Sequence, residues 1–313
     1  MNIFINVALL ILGFAMLVKG SFVFVDACVN IAQKLKIPSF IIGLTIVAAG
    51  TNTPEAAISV TAAISGSNAL AIGNVIGSNV FNMLVVVGLC AVIKPLAVNL
   101  KEMSLTHIIS VVATFILFVM VLLFYNNIPR IGSAIFLIGY IIYVFFIVRQ
   151  ANKDREIAKH ENANPHKPIL NSVLYSIVGI ALIIVGSKLT VNNALDIGLV
   201  LGISERILGL TVIAIGTSLP ELAISLIAIK KGESGIAIGN IVGSNIFNIL
   251  FILGLSGMLA PLDVYSGLVL DLVILLASSF VFLLFAYTGK RFVRLEGLAM
   301  LMFYVIYMSW LTL

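Results

Sequence analysis

Charged residues are scarce in this chain: they make up 10% of its 313 residues, whereas 61% of the residues are hydrophobic. A typical soluble domain carries about 25% charged residues, so the composition excludes an ordinary soluble globular protein. The only two cysteines, Cys28 and Cys90, lie in apolar context without the spacing of a disulfide framework or a metal site. We expect both to be small core residues. The sequence also lacks a nucleophile–base pair, a phosphate-binding loop and a cofactor motif, so it predicts neither an enzyme nor a resident cofactor.

Long apolar runs recur along the whole chain. A helix needs roughly 20 apolar residues to cross a hydrocarbon layer about 30 Å thick. The runs predict an all-α membrane protein with ten transmembrane helices, at Ile3–Val25, Phe40–Ile64, Leu70–Ile93, Leu105–Tyr125, Ile131–Val148, Ile169–Ala194, Ile207–Ile229, Ile236–Leu259, Leu268–Tyr287 and Leu295–Leu313.

The distribution of lysine and arginine predicts the orientation of these helices. If both termini lie outside the cell, most of the 18 basic residues fall in inner loops, as the positive-inside rule requires. This places the polar segment 150–168 in the cytoplasm and the protein in the plasma membrane. The basic residues are spread over separate loops, so the net charge of +5 reflects topology and does not predict a nucleic-acid partner.

One pair of sequence motifs occurs twice, 166 residues apart. GLTIVAAGTNTPEAAIS at Gly43–Ser59 returns as GLTVIAIGTSLPELAIS at Gly209–Ser225, and AIGNVIGSNVFNML at Ala71–Leu84 returns as AIGNIVGSNIFNIL at Ala237–Leu250. The segment 150–168 separates two sets of five predicted helices, residues 1–149 and 169–313. Because five is odd, the second set enters the membrane from the opposite side, which predicts two inverted five-helix repeats.

The first motif places a carboxylate, Glu55 or Glu221, directly after a proline inside an apolar segment. Proline removes a helical hydrogen bond, so we expect each helix to kink or break there and to free a backbone carbonyl. A lone glutamate of this kind can simply be protonated and pack between helices. Two equivalent glutamates instead predict a cation site, since paired carboxylates repel each other unless a cation lies between them.

The second motif supplies further oxygen atoms. Ser78 and Asn82, like Ser244 and Asn248, are four residues apart and therefore share one helix face. Hard oxygen ligands beside a broken helix suit Na⁺ or Ca²⁺. The remaining asparagines of the motif point elsewhere, and we expect them to form interhelical hydrogen bonds. These are Asn74, Asn79, Asn240 and Asn245.

The paired GTNTPE/GTSLPE and GNxxGSN motifs resemble the alpha repeats of the sodium/calcium exchanger family, within the cation/calcium exchanger superfamily. The resemblance implies ten transmembrane helices, with the second, third, seventh and eighth forming the ion-binding core and the long first and sixth helices sliding across it. It also implies the ligands. These are the central acids Glu55 and Glu221; Thr51 and Thr217 beside them; Ser78, Ser244, Ser218 and the carbonyls of Ala48 and Ala214 in flanking Na⁺ sites; and Asn82 and Asn248 at the centre. Asn52 replaces the serine usual in the first motif, which leaves the number of bound Na⁺ open.

The expected function is a secondary antiporter that exchanges Ca²⁺ for Na⁺ by alternating access at one midplane site. H⁺/Ca²⁺ exchange and K⁺-dependent Na⁺/Ca²⁺ exchange remain alternatives in the same class. A cation channel is disfavoured because channels usually build a symmetric pore from several chains, whereas ligands from both repeats build a site within one chain. A complete site in each chain makes a monomer sufficient for transport.

Overall fold

The computed structural model describes residues 3–124, 127–157, 168–201, 214–265 and 267–312. Within these ranges the helices are α1 Ile3–Leu35, α2 Ser39–Ile42, α3 Ala48–Thr51, α4 Thr53–Ile64, α5 Asn68–Phe81, α6 Val87–Ile93, α7 Leu100–Leu123, α8 Arg130–Ile157, α9 Ile169–Val200, α10 Ala214–Thr217, α11 Leu219–Lys230, α12 Ser234–Ile246, α13 Gly254–Leu259, α14 Leu268–Gly289 and α15 Arg294–Thr312. Turns of π-helix join α2 to α3 (Gly43–Val47), α5 to α6 (Asn82–Val86) and α12 to α13 (Phe247–Leu253). The strands are β1 Leu96–Ala97, β2 Asn127–Ile128, β3 Leu262–Asp263 and β4 Arg291–Phe292.

Seven helices in the described ranges are long and apolar enough to cross a membrane, and the bent segment α2 to α4 makes an eighth if it is counted as one span. The chain is therefore an integral, multi-pass membrane protein with an almost entirely helical fold. The seventh predicted span, Ile207–Ile229, begins in residues outside the described ranges. The tenth, Leu295–Leu313, coincides with α15 to within one residue.

Two continuous helical segments form the centre of the fold. In Asn68–Ile93 and Ser234–Leu259, 78% and 94% of the apolar stretch is buried, against 22–39% in the other candidate spans. The outer helices expose large apolar side chains, such as Ile131 and Phe145 on α8, as expected for surfaces that contact lipid. The second motif of each repeat thus lies on the most enclosed helices.

The expected helix breaks lie at the prolines of the first motif. Helix α3 ends at Thr51, α4 begins at Thr53, and the chain bends by 49° between them. In the second half, α10 ends at Thr217 and α11 begins at Leu219. Each proline lies in the first turn of the new helix, where its missing N–H removes no helical hydrogen bond. The prediction of a break at each proline is confirmed.

Three helices extend further than the sequence predicted. Helix α1 continues from the predicted end at Val25 to Leu35, α8 reaches Ile157 instead of Val148, and α9 reaches Val200 instead of Ala194. Hydropathy reports the part of a helix that lies in lipid, whereas helical hydrogen bonding continues beyond it. In α1 the extension still buries apolar side chains, for example Cys28 and Ile31. The predicted linker 150–168 therefore begins inside α8, and residues 158–167 lie outside the described ranges.

The two halves contact each other reciprocally. Helices α1 and α9 pack backbone to backbone: a Cβ atom added at Gly13 would lie 2.8 Å from the Gly186 carbonyl oxygen, and one added at Gly186 would lie 2.6 Å from that of Gly13. Gly20 approaches the Gly179 carbonyl equally closely. Small residues allow this close approach in membranes.

Short antiparallel strand pairs also join the halves. Strand β1 pairs with β4, and β2 pairs with β3. Each pair takes one strand from the first half and one from the second. A side-chain hydrogen bond accompanies the second pair: the Asn68 amide donates to the Asp263 carboxylate at 2.8 Å.

Candidate ion-binding site

Two carboxylates form the centre of the candidate site. Glu55 and Glu221 lie in the first turns of α4 and α11, directly after the two helix breaks, and both side chains are fully buried. The two carboxylates are close enough to interact electrostatically. All four of their oxygen atoms lack a hydrogen-bond partner among the described residues. Buried charges without partners cost several kcal/mol each, so this arrangement needs cations or protons to neutralise it.

Further side-chain oxygen atoms of the predicted site residues are also buried without a hydrogen-bond partner. In the described part of the chain, no hydrogen-bond partner is present for the side-chain oxygens of Asn52, Ser78, Asn82, Ser218 and Asn248. Ser218 adjoins the Glu55 carboxyl group, although no hydrogen bond of ordinary geometry joins them. Buried polar groups are normally hydrogen-bonded. A group of buried oxygens without partners at one set of residues therefore indicates a missing cationic ligand.

The two threonines use their protons away from the carboxylates. The Thr51 hydroxyl has two acceptors for its proton, the Asn240 side-chain oxygen and the Ala48 carbonyl oxygen, each at 3.2 Å, and Thr217 donates to the Asn74 side-chain oxygen at 3.3 Å. A hydroxyl that donates its single proton elsewhere presents its lone pairs as an acceptor. Thr51 also adjoins the Glu221 carboxyl group. This orientation suits a hydroxyl that coordinates a cation.

The remaining asparagines of the second motif form interhelical hydrogen bonds, which confirms the expectation for them. Asn74 donates to Ser59 at 2.9 Å and Asn240 donates to Ser225 at 3.1 Å. Asn79 donates to the backbone carbonyl of Asn245 at 3.3 Å. Ser59 and Ser225 were not among the predicted site residues, although they stand 166 residues apart inside the two copies of the first motif.

These bonds fix which way the central amides face. A carbonyl only accepts, so the Asn79 nitrogen faces the Asn245 backbone and its oxygen receives the Asn248 amide at 2.9 Å. Asn82 likewise donates to the Asn245 side-chain oxygen at 3.2 Å. The amide nitrogens of Asn82 and Asn248 are therefore engaged, and their oxygens are the free atoms.

Asn52 differs from its equivalent, Ser218. Its amide nitrogen donates to the Ala48 carbonyl at 2.6 Å and to the Ser244 hydroxyl at 2.7 Å. The structure thus brings three predicted site residues together. The Asn52 amide nitrogen lies between the Ala48 carbonyl oxygen and the Ser244 hydroxyl oxygen. Ala214, the equivalent of Ala48, begins helix α10.

One backbone carbonyl freed by a proline has an unexpected partner. Pro220 removes the usual donor to the Gly216 carbonyl, which instead accepts a hydrogen bond of 3.0 Å from Ser187 on α9. The repeat contained this signal, because Ser21 and Ser187 stand 166 residues apart. Only the contact between α9 and the broken helix shows what Ser187 does.

Comparisons with known proteins agree with the repeat. The family described as sodium/calcium exchanger protein matches residues 5–149 and 171–313. The chain is 37% identical over 306 residues to CaxA of Alkalimonas amylolytica, covering 95% of each chain. It is 32% identical over 341 residues to the sodium/calcium exchanger MaX1 of Methanosarcina acetivorans, covering 97% of each.

The fold matches a solved structure over nearly its whole length. The sodium-calcium exchanger NCX_Mj, soaked with 2.5 mM Na⁺ and 10 mM Sr²⁺, superposes with a TM-score of 0.86 at 30% identity, covering 98% of this chain and 99% of the other. The double sequence match and this structural match lead to one conclusion: the chain belongs to the sodium/calcium exchanger family.

Proposed function

We propose that this protein is a secondary antiporter that exchanges Ca²⁺ for Na⁺ across the plasma membrane by alternating access at one midplane site. The observation that supports this most directly is the pair of fully buried carboxylates, Glu55 and Glu221, whose four oxygens have no partner among the described residues. Because the chain belongs to a family of cation exchangers, we expect the ligand of these carboxylates to be a transported cation.

The chemistry of the free atoms favours Ca²⁺. This ion takes six to eight oxygen ligands from carboxylates, carbonyls, amides and water at about 2.3–2.6 Å. The amide oxygens of Asn82 and Asn248 and the hydroxyls of Thr51 and Thr217 accompany the two glutamates. One divalent cation neutralises both carboxylates, and it needs no covalent chemistry and no cofactor to do so.

Sodium ions compete for the same carboxylates. The candidate ligands of flanking Na⁺ form two sets related by the 166-residue offset, namely the Ala48 carbonyl with Asn52 and Ser244, and the Ala214 carbonyl with Ser218 and Ser78. Occupation by Na⁺ and occupation by Ca²⁺ then exclude each other. A site with two bare carboxylates cannot cross a low-dielectric region without a large electrostatic cost, so the protein reorients only when loaded. This coupling produces exchange and suppresses leak.

The proposed architecture has ten membrane helices in two inverted repeats, 1–149 and 169–313, with both termini outside and the linker 150–168 in the cytoplasm. Reciprocal contacts support it. Thr51 pairs with Asn240 as Thr217 pairs with Asn74, and both residue pairs are related by the 166-residue offset. Contacts that exchange in this way are typical of a two-fold relation between parts. Because both halves contribute to the one site, a single chain is sufficient for transport.

The test is a transport assay in vesicles that contain the purified protein. Vesicles loaded with Na⁺ receive external Ca²⁺ under an outward Na⁺ gradient, under a pH gradient, or under neither. We expect Ca²⁺ uptake under the Na⁺ gradient. Replacing internal Na⁺ by K⁺, with or without a small amount of Na⁺, separates K⁺-dependent exchange from exchange driven by Na⁺ alone.

The other outcomes identify the alternatives. Uptake under the pH gradient alone would replace Na⁺ by H⁺ as the coupling ion. A Ca²⁺ conductance that needs no counter-ion gradient would contradict exchange and favour a channel. Protein-free vesicles and vesicles with Glu55→Gln protein provide the controls.

A further inference from the structure

The two halves contain equivalent oxygen pockets that are filled differently. We define the first pocket as the Ala48 carbonyl with the side chains of Asn52 and Ser244. The second pocket consists of the residues 166 positions away, namely the Ala214 carbonyl, Ser218 and Ser78. The two pockets differ in composition at a single position, where asparagine stands in the first and serine in the second.

The first pocket is closed by an amide group. The Asn52 nitrogen lies 2.6 Å from the Ala48 carbonyl oxygen and 2.7 Å from the Ser244 hydroxyl oxygen. The carbonyl can only accept a hydrogen bond, so the atom beside it must be the nitrogen and not the amide oxygen. Both amide protons are then used, and the Asn52 side chain is fully buried.

The amide stands where a cation would otherwise bind. Its two N–O distances are only slightly longer than the metal–oxygen distances of about 2.3–2.6 Å in Ca²⁺ sites. A cation and the amide group therefore cannot share these oxygens. The NH₂ group satisfies them with two hydrogen bonds, without a mobile ion and without adding net charge.

The hydroxyl groups of the second pocket have no such amide beside them in the described part of the chain. The Ser78 and Ser218 hydroxyl oxygens are buried and have no hydrogen-bond partner in the described part of the chain. Ser218 also adjoins the Glu55 carboxyl group, which supplies negative charge. Buried hydroxyl groups are normally paired, so these two leave room in the bonding pattern for a monovalent cation, and Ser218 has a carboxylate beside it.

We propose that Asn52 acts as a permanent substitute for a cation in the first pocket, so that flanking Na⁺ binding is confined to the second pocket. This inference rests on the proposed exchange function and specifies its coupling. Each Ca²⁺ is exchanged for fewer Na⁺ than two open pockets would allow, and the cycle moves correspondingly less charge. Asn52 is thus a residue that sets stoichiometry.

The experiment opens one pocket and closes the other. Asn52→Ser gives the first pocket the composition of the second, and Ser218→Asn does the reverse. Matched controls are Asn192→Ser and Ser67→Asn at exposed positions away from the site. Each protein is reconstituted, and exchange of labelled Ca²⁺ for unlabelled Ca²⁺ without Na⁺ shows whether the central site still transports.

The readouts are the Na⁺ dependence and the voltage dependence of Ca²⁺ uptake. For Asn52→Ser we expect the logarithmic slope of uptake against subsaturating Na⁺ to rise by about one, since each additional bound ion adds about one to that slope. The effect of a K⁺ diffusion potential on uptake should increase with it. For Ser218→Asn the slope should fall by about one.

The results separate this inference from the function on which it rests. If the unmodified protein shows no Na⁺-driven uptake, the proposed exchange function fails. If it does, and Asn52→Ser keeps its slope and voltage dependence, the inference is overturned. Where Asn52→Ser does not exchange Ca²⁺, an unchanged slope in Ser218→Asn overturns it equally. For variants that bind but do not transport, the slope of thermal stabilisation against Na⁺ in detergent gives the same comparison.

Discussion

The segments 43–59 and 214–225 contain the same proline-broken helix, yet the two copies satisfy their polar groups differently. In the first, the Asn52 amide donates across to Ser244 on α12. In the second, Ser218 leaves its hydroxyl without a partner among the described residues. One changed residue in a repeated motif therefore decides whether these buried oxygens are hydrogen-bonded within the protein or left without a partner.

The long helices next to these segments also differ. Ser187 on α9 donates to the Gly216 carbonyl of the broken helix, whereas its equivalent Ser21 donates to Leu17, one turn back in its own helix. Serine stands at both positions, so the residue type itself does not explain the difference. If the protein works by the proposed alternating access, the two halves should exchange such conformations during transport.

A third difference lies at the helix ends. Lys231 forms an ion pair with Asp26 and also donates to the Phe22 carbonyl at 3.2 Å. The equivalent residues in the other half are Ser65 and Asn192, which carry no charge. In the proposed inverted arrangement equivalent loops lie on opposite sides of the membrane, which would account for a basic residue in only one of them.

We expect the largest effect from removing the charge of the glutamate that both halves contain. Glu55→Gln and Glu221→Gln should each reduce Ca²⁺ transport in vesicles by at least about 100-fold, since loss of one member of a buried charge set costs about 3–5 kcal/mol. The two losses should be similar in size. Glu296→Gln, at the start of α15, is the control for the same chemical change. Normal transport by both site variants would contradict the site assignment.

The next effect tests the backbone contact between α1 and α9. Gly13→Ala and Gly186→Ala each place a methyl group within 2.8 Å of a backbone oxygen. Overpacking of this kind costs about 1–3 kcal/mol, so both variants should melt at lower temperature in detergent. Gly139→Ala is the control, because its new methyl would lie 3.7 Å from Leu250, an ordinary contact. Equal melting temperatures for all three variants would contradict the close packing of α1 against α9.

A smaller effect distinguishes the two serines. Ser187→Ala should lower the free energy of unfolding by about 1–3 kcal/mol, since it leaves a buried carbonyl without its donor. Ser21→Ala should cost less, because the Leu17 carbonyl already accepts the normal helical hydrogen bond. Chemical denaturation in detergent measures both values. A larger loss in Ser21→Ala would reverse the assignment of the two roles.

The smallest effect concerns the ion pair between Lys231 and Asp26. A double-mutant cycle with Asp26→Asn and Lys231→Gln should give a coupling energy of about 0.2–1 kcal/mol, since Asp26 is 66% exposed. The coupling should decrease at high salt because exposed charges are screened. A coupling energy that persists at high salt would indicate that the two residues interact through a contact other than charge.

The sequence was sufficient to locate the repeats, the two glutamates and the helix breaks, since these depend on local chemistry. A preceding helix cannot continue through Pro54 or Pro220 without losing a hydrogen bond, and apolar surroundings make a carboxylate conspicuous. The direction of the Asn52 amide was not predictable in this way. It depends on Ser244, 192 residues away, and a side chain with a donor at one end and an acceptor at the other gives no local sign of which end will face a given neighbour.

The burial of the acidic residue Asp271 depends on distant partners in the same way. From its position near the end of a predicted transmembrane segment the sequence predicts a solvated side chain. This prediction is wrong, because Asp271 is 9% exposed and accepts hydrogen bonds from Tyr265 at 2.5 Å and Tyr307 at 3.2 Å. The two tyrosines come from a loop and from α15. Hydropathy along one segment cannot register partners that fold over it from elsewhere.

The strand pairs between the halves bear on how the protein is made. Strand β1 pairs with β4 and β2 pairs with β3. Because β3 and β4 belong to the second half, neither pair can form until that half has been synthesised. We infer that the first half is inserted in lipid as an incomplete assembly, with Glu55 still lacking the groups that later enclose it. Insertion and folding are then separate events in time. Produced alone, either half should be degraded in the cell, and a chain cut between residues 158 and 167 should survive only when both pieces are present together, as immunoblotting of the membrane fraction would show.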